Sequence, residues 1–178
     1  MRNFISSIIC LIIVVTLVIG CGRETAEQLF AIAEKFEQEE KFEDALVKYE
    51  KILVEYPDTE LAPDVYFKIA QIASKLRKVH KCVDAYTRIV ELAPDHEVAP
   101  KAQFMIGYIY ANDLNDTTKA KQAYNKFLEK YADEDSGMTA SARFELKYMG
   151  KDISEIGILK NLSSETEVTP TSEAAKGN

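Results

Sequence analysis

The chain repeats itself. Pro57-Asp58-Thr59-Glu60-Leu61-Ala62-Pro63-Asp64 lies over Pro94-Asp95-His96-Glu97-Val98-Ala99-Pro100-Lys101 without a gap, at a period of 37 residues. Upstream, Ala45, Tyr49 and Ile52 fall over Cys82, Tyr86 and Ile89. Downstream, Phe67, Ile69 and Ala70 fall over Phe104, Ile106 and Gly107. A third copy of the second half reads Ala120, Tyr124 and Phe127, with Ala132 where the proline stood. A period of this length marks supersecondary units that stack on one another, because one unit alone cannot bury its apolar face.

Within each half the apolar period is helical. Leu29, Ile32, Ala33 and Phe36 share one helix face, and so do Ala45, Tyr49 and Ile52. Glu39-Glu40-Lys41 is the polar break between the two helices, and Asn112-Asp113-Leu114-Asn115-Asp116 is the corresponding break in the third copy. Breaks this short force antiparallel neighbours. Pro57 and Pro94 stop the second helix of each pair, while Pro63 and Pro100 suit the first turn of the next one, where a missing N–H costs little.

These residues resemble the tetratricopeptide repeat, a helix A followed by a helix B. Its pattern places are held by Leu29, Ile32, Ala33, Phe36, Ala45, Tyr49, Ile52 and Pro57 in copy one. Copy two has Tyr66, Ile69, Ala70, Ala73, Cys82, Tyr86, Ile89 and Pro94, and copy three Gln103, Ile106, Gly107, Tyr110, Ala120, Tyr124 and Phe127. The implied fold is all-α, a right-handed helical solenoid of three helix pairs spanning 26–149. A seventh helix, Met138 to Met149, caps it, with Ala142, Phe144 and Leu146 echoing Ala102, Phe104 and Ile106. The small places let helices approach closely, so Cys82 reads as a small core residue. The repeat is longer than the family's usual length of about 34, and the excess falls between Pro57 and Tyr66. Junctions of the form Tyr-Pro-Asp-x-Glu-x-Ala resemble an envelope branch of the superfamily. That branch includes the BamD-like outer-membrane-assembly lipoproteins and the Tol–Pal coordinator proteins.

The front of the chain reads as an address. Phe4 to Ile19 carries no charge, and its sixteen residues rise about 24 Å as a helix, short of a bilayer's hydrocarbon core of about 30 Å. It suits a signal-peptide core over residues 1–20. Val18-Ile19-Gly20-Cys21 resembles the bacterial lipobox. The resemblance implies cleavage before Cys21, acyl chains on Cys21 and a short tether over 21–25. Gly22, in place of an aspartate, implies sorting to an outer membrane, facing the periplasm. From Gly150 to Asn178 the tail reads as mostly disordered, with Ile153 and Ile156 able to dock one short turn.

Charge and chemistry exclude several functions. The chain has 22 basic and 29 acidic residues; losing Arg2 with the leader leaves 21 bases, a net charge of −8. Such a body does not steer toward nucleic acid or anionic lipid. Cys82, left alone once Cys10 is removed and Cys21 lipidated, has no disulfide partner. Only His80 and His96 accompany it, so no metal site is expected. No phosphate-binding glycine loop and no nucleophile–base set is present, so the expectation is a non-enzyme with no cofactor beyond the Cys21 lipid.

Binding is the remaining role. The resemblance implies that helices A line a groove, with Phe30, Phe67 and Phe104 one place after its bulky position. Glu34, Gln71 and Tyr108, then Asp64 and Lys101, are groove neighbours in the same register. The three rings either anchor a peptide or pack as core. Glu34, Glu37, Glu39, Glu40 and Glu43 form an acidic cluster that is either a solvated surface or a site for a basic partner. The expected function is a membrane-tethered scaffold for envelope protein partners, such as a β-barrel assembly machine. The alternatives are a Tol–Pal or cell-division coordinator, a pilotin-like secretion helper, and a binder of peptides or envelope polymers.

Overall fold

The computed structural model describes residues 23–151. Among them are seven α-helices and no strand: α1 (Ala26–Gln38), α2 (Phe42–Glu55), α3 (Ala62–Lys75), α4 (Val79–Leu92), α5 (Ala99–Asn112), α6 (Thr117–Tyr131) and α7 (Ser136–Tyr148). The all-α expectation of three helix pairs and a seventh helix therefore holds. The expected leader (residues 1–20), Cys21, Gly22 and the tail from Asp152 lie outside the described residues. No helix among the described residues is long and apolar enough to cross a membrane. The chain divides into two compact units between Val98 and Ala99, α1–α4 in the first and α5–α7 in the second.

In the first unit α1 pairs with α2, α3 pairs with α4, and α3 also packs on α2. The start of α1 is set by a capping box: Thr25 Oγ1 accepts from Gln28 N at 3.3 Å, and Gln28 Oε1 accepts from Thr25 N at 3.0 Å. Its end is a Schellman turn, with Lys41 N donating to Phe36 O at 2.8 Å and Glu40 N to Glu37 O at 3.0 Å. The same bonds recur one period later, from Lys78 N to Ala73 O and from Arg77 N to Ser74 O. Glu40 and Arg77 both sit at φ 58°, the left-handed region that such a turn demands. Pro57 and Pro94 follow the last helical turns as expected, and Pro63 and Pro100 occupy second positions of α3 and α5. The core of this unit is Leu29, Ala33, Tyr49 and Ile52, then Val65, Ile72, Cys82 and Ile89.

In the second unit α5 pairs with α6, and α7 packs on α6. The A–B turn is one residue longer, and the left-handed residue is Asn115 at φ 52°. Asp116 caps α6 by accepting from Lys119 N at 2.9 Å. Gly107 lies where α5 packs tightly on the Tyr124 ring of α6. A methyl group there would lie 2.8 Å from Cδ1 of the fully buried Tyr124 ring. Gln103, at the repeat's bulky place, is buried, and its Nε2 donates to Ala123 O of α6 at 2.9 Å.

Helix α7 begins at Ser136, two residues before the expected Met138. Asp135 accepts from Met138 N at 2.8 Å, and this cap pulls Ser136 and Gly137 into the first turn. Thr139 and Ala142 bury against the unit. The places corresponding to Gln103 and Gly107 carry Arg143 and Lys147, both exposed. Two charged side chains on that face disfavour close packing of a further helix against it.

Candidate functional site

The three phenylalanines are partly core and partly accessible. Phe30, Phe67 and Phe104 are half-buried. Each leans edge-to-face on the helix-B tyrosine of its own hairpin. Phe30 lies 5.3 Å from Tyr49, Phe67 5.8 Å from Tyr86, and Phe104 5.4 Å from Tyr124. Quadrupole-matched pairs of this kind add to the burial term. One edge of each ring is thus hairpin core, while the rest stays accessible. Cutting Phe67 or Phe104 back to alanine therefore removes packing as well as any contact surface.

In the first unit the residues expected to line a groove form two stripes. On α1, Phe30, Glu34 and Glu37 fall at i, i+4 and i+7; on α3, Asp64, Phe67 and Gln71 fall at i, i+3 and i+7. Lys68, which sequence reasoning missed, joins them. Its Nζ lies 3.4 Å from Glu34 Oε1 and 3.3 Å from Glu37 Oε1. Glu37 Oε1 also accepts from the buried Tyr49 hydroxyl at 2.5 Å. Burial first, and then that bond to a carboxylate, push the Tyr49 phenol well above its ordinary value. Asp64 and Gln71 are half-exposed on the same stripe. In the second unit Lys101, Phe104 and Tyr108 form the matching stripe on α5, and Tyr108 is 44% exposed.

The acidic cluster is partly neutralised, while Glu39, Glu40 and Glu43 stay exposed. Lys68 lies against Glu34 and Glu37, Lys41 Nζ is 2.7 Å from Glu39 Oε2, and Glu40 is a turn residue. Glu43 sits in the first turn of α2, where a carboxylate complements the helix dipole. His80 is exposed while Cys82, two residues on, is buried. Among the described residues no three His, Cys, Asp or Glu side chains converge as a metal site would need.

A second concavity was not legible in the sequence. A cleft of about 320 Å³ opens in the first unit between α2, α3 and α4. Leu53, Tyr66, Ile69 and Ala85 line it, and a Glu50–Lys81 ion pair stands at its edge. It uses Tyr66 and Ile69 of α3 rather than Phe67 and Gln71, so it is distinct from the stripes.

The hairpins, their small contact places and their repeated turns define an all-α helical-repeat fold of the tetratricopeptide type. Residues 63–96 and 101–134 each match the tetratricopeptide repeat family, covering α3–α4 and α5–α6. Copy one is tied to these two by the register described above. Among solved structures, the fold is similar to the crystal structure of MamA, with a TM-score of 0.52 and 17% identity. That match covers 84% of this chain and 85% of the other. No curated protein matches the sequence. Repeats of this type are protein-interaction scaffolds, and this chain carries them.

Proposed function

We propose that the protein is a non-enzymatic scaffold of the bacterial cell envelope, held at a membrane by lipid on Cys21. In this reading the helix-A stripes present a binding surface to a protein partner at the same membrane. The membrane is the outer one, the site faces the periplasm, and the partner is an envelope assembly machine such as one that inserts β-barrel proteins. No cofactor is required beyond the lipid.

The observation that carries the binding role is the half-exposed stripe on each A helix. Phe30, Phe67 and Phe104 keep an accessible edge beside Gln71, Asp64 and Tyr108, a mixture of ring faces and hydrogen-bonding groups that suits an extended or helical peptide. The lipobox-like Val18-Ile19-Gly20-Cys21 supports the tether. Two acyl signals give stable anchoring where one is marginal. Tethering then raises the effective concentration of the scaffold at its partner.

The test has two arms. Cys21→Ala is expected to move the protein from the membrane to the soluble fraction; a variant that stays with membranes contradicts the tether. Crosslinking in intact envelopes, with identification by mass, is expected to yield a β-barrel insertase subunit. Recovery of Tol–Pal components instead would replace the assembly role with the coordinator one.

A further inference from the structure

Helix α7 repeats the A-helix stripe but has no helix B beside it among the described residues. Phe104, Gly107 and Tyr108 of α5 recur at the same spacing as Phe144, Lys147 and Tyr148. Phe30, Phe67 and Phe104 each pack on a helix-B tyrosine. Phe144 has no such tyrosine among the described residues. Its ring lies 4.6 Å from that of Tyr148, on its own helix, and 50% of it stays exposed. A repeat stack needs its last apolar face covered, and this pair of rings is the open part of that face.

The chain leaves α7 beside these rings. Gly150, at φ 82°, makes a left-handed turn, and Lys151 N donates to Tyr148 O at 3.0 Å. The Lys147 and Lys151 ammonium groups stand 5.0 Å and 5.6 Å from the centre of the Tyr148 ring. Neither forms an ion pair with another described residue. Glu145, the acid nearest them on α7, lies on the α6 side, where burial first, and then the Glu145 charge, raise the Tyr124 phenol above its ordinary value. The next residues of the chain supply the complement. Asp152-Ile153 and Glu155-Ile156 set an acid beside an isoleucine twice over. The extended chain from Lys151 to Ile156 spans at most about 17 Å, and Phe144 to Tyr148 is about 6 Å of helix. Both isoleucines are therefore within reach of the ring pair.

We propose that residues 152–156 of the tail cover the Phe144–Tyr148 pair, with Ile153 and Ile156 on the rings and Asp152 and Glu155 beside Lys147 and Lys151. The occupant is this chain itself, standing where the other three hairpins carry a helix B. Two rings beside two ammonium groups meet two isoleucines beside two carboxylates. Burial of apolar surface supplies the attraction, covalent attachment the effective concentration, and the charge pairs the register. The rings of α7 are then closed to any other partner, and the accessible series of A-helix stripes ends at Tyr108 of α5. The proposal does not rest on the lipid anchor at Cys21.

The chain contains no tryptophan, so Phe144→Trp puts a single reporter on α7. In the full chain its emission is expected to be blue-shifted and its quenching by acrylamide weak. Adding Ile153→Ser and Ile156→Ser is expected to shift the emission to the red and to raise the quenching constant several-fold, with helical circular dichroism retained. Quenching that is the same with and without these two substitutions overturns the proposal. Protection is expected to be independent of protein concentration. Protection that disappears on dilution assigns the rings to a second copy of the chain and overturns docking of the tail in cis. Lys147→Glu with Lys151→Glu is expected to raise quenching, and Asp152→Lys with Glu155→Lys to restore protection in that variant; a reversal that restores nothing refutes the charge pairs. Amide exchange in the parent chain reads the same contact without a reporter. Residues 153–156 are expected to exchange several-fold more slowly than in a free peptide of the same sequence, and exchange at the peptide's rate overturns the proposal.

Discussion

At the residue scale, what the repeat register showed best was the small places. Ala33, Ala70 and Gly107 share one position, and each is buried. Gly107 alone meets a ring so closely that a methyl group would lie 2.8 Å from it. Gly107→Ala gains about 1 kcal/mol of helix propensity but incurs an overpacking cost of about 1–3 kcal/mol. Denaturant unfolding is therefore expected to show a net loss of about 1 kcal/mol; a more stable variant would contradict the close approach. Hydrogen-bond partners were not legible, because they depend on side chains from distant helices. Tyr49 donates to Glu37, whereas the place of Glu37 in copy three is Ala111, and the buried Tyr124 hydroxyl has no hydrogen-bond partner. Tyr49→Phe is expected to cost about 1–2 kcal/mol, since it removes a bond to a carboxylate. Tyr124→Phe removes a hydroxyl with nothing to lose and is expected to be neutral or stabilising. Equal losses in the two variants would refute the distinction. Gln103, at the repeat's bulky position, was likewise placed by the register, but its bond to Ala123 O was not.

At the scale of elements, boundaries set by proline and by short polar breaks were readable, and those set by side-chain caps were less so. Pro57 and Pro94 end α2 and α4 because a helix cannot run through them. Helix α7 starts two residues before the place its apolar pattern suggests, because Asp135-Ser136-Gly137 has loop composition yet the Asp135 carboxylate caps Met138 N. The three A–B turns show the same physics from another side. Asp116 caps α6, but the corresponding places before α2 and α4 hold Lys41 and Lys78, neither of which makes a side-chain cap bond. A lysine there also opposes the helix dipole. Lys78→Asp is expected to stabilise the protein by about 1 kcal/mol, read as a rise in thermal midpoint. No change, or a fall, would show that the N-terminus of α4 is satisfied in another way.

At the scale of the whole molecule, the periodicity gave the hairpins and their order because each hairpin obeys local rules. It did not give the contacts that hold Arg23 and Glu24, whose partners Lys51, Glu55 and Tyr56 lie about thirty residues on. Nor did it give Lys68, whose two acidic partners lie on another helix. The repeated tyrosine also gives the molecule a common pH response. Burial pushes the phenols of Tyr49, Tyr86 and Tyr124 above the ordinary value. Unfolded tyrosines lose their protons near pH 10, while the folded ones keep theirs, so the native state binds more protons above that point. Stability is therefore full below about pH 10 and falls as pH rises beyond it, by up to ~1.4 kcal/mol per unit for each tyrosine. The share of tyrosinate absorbance due to these three residues is expected to appear only together with the loss of helical circular dichroism, in one cooperative step. Complete ionisation of all nine tyrosines without loss of helicity would contradict the burial.

The central claim is that the helix-A stripes bind a protein partner in the envelope. A photocrosslinking side chain placed at Gln71 or at Tyr108 leaves the half-core phenylalanines intact, and one at Glu91, exposed on α4, serves as the control. In living cells the account predicts a discrete adduct from position 71 and a discrete adduct from position 108, and none from 91. Adducts of equal yield at all three positions, or at 91 alone, would contradict it.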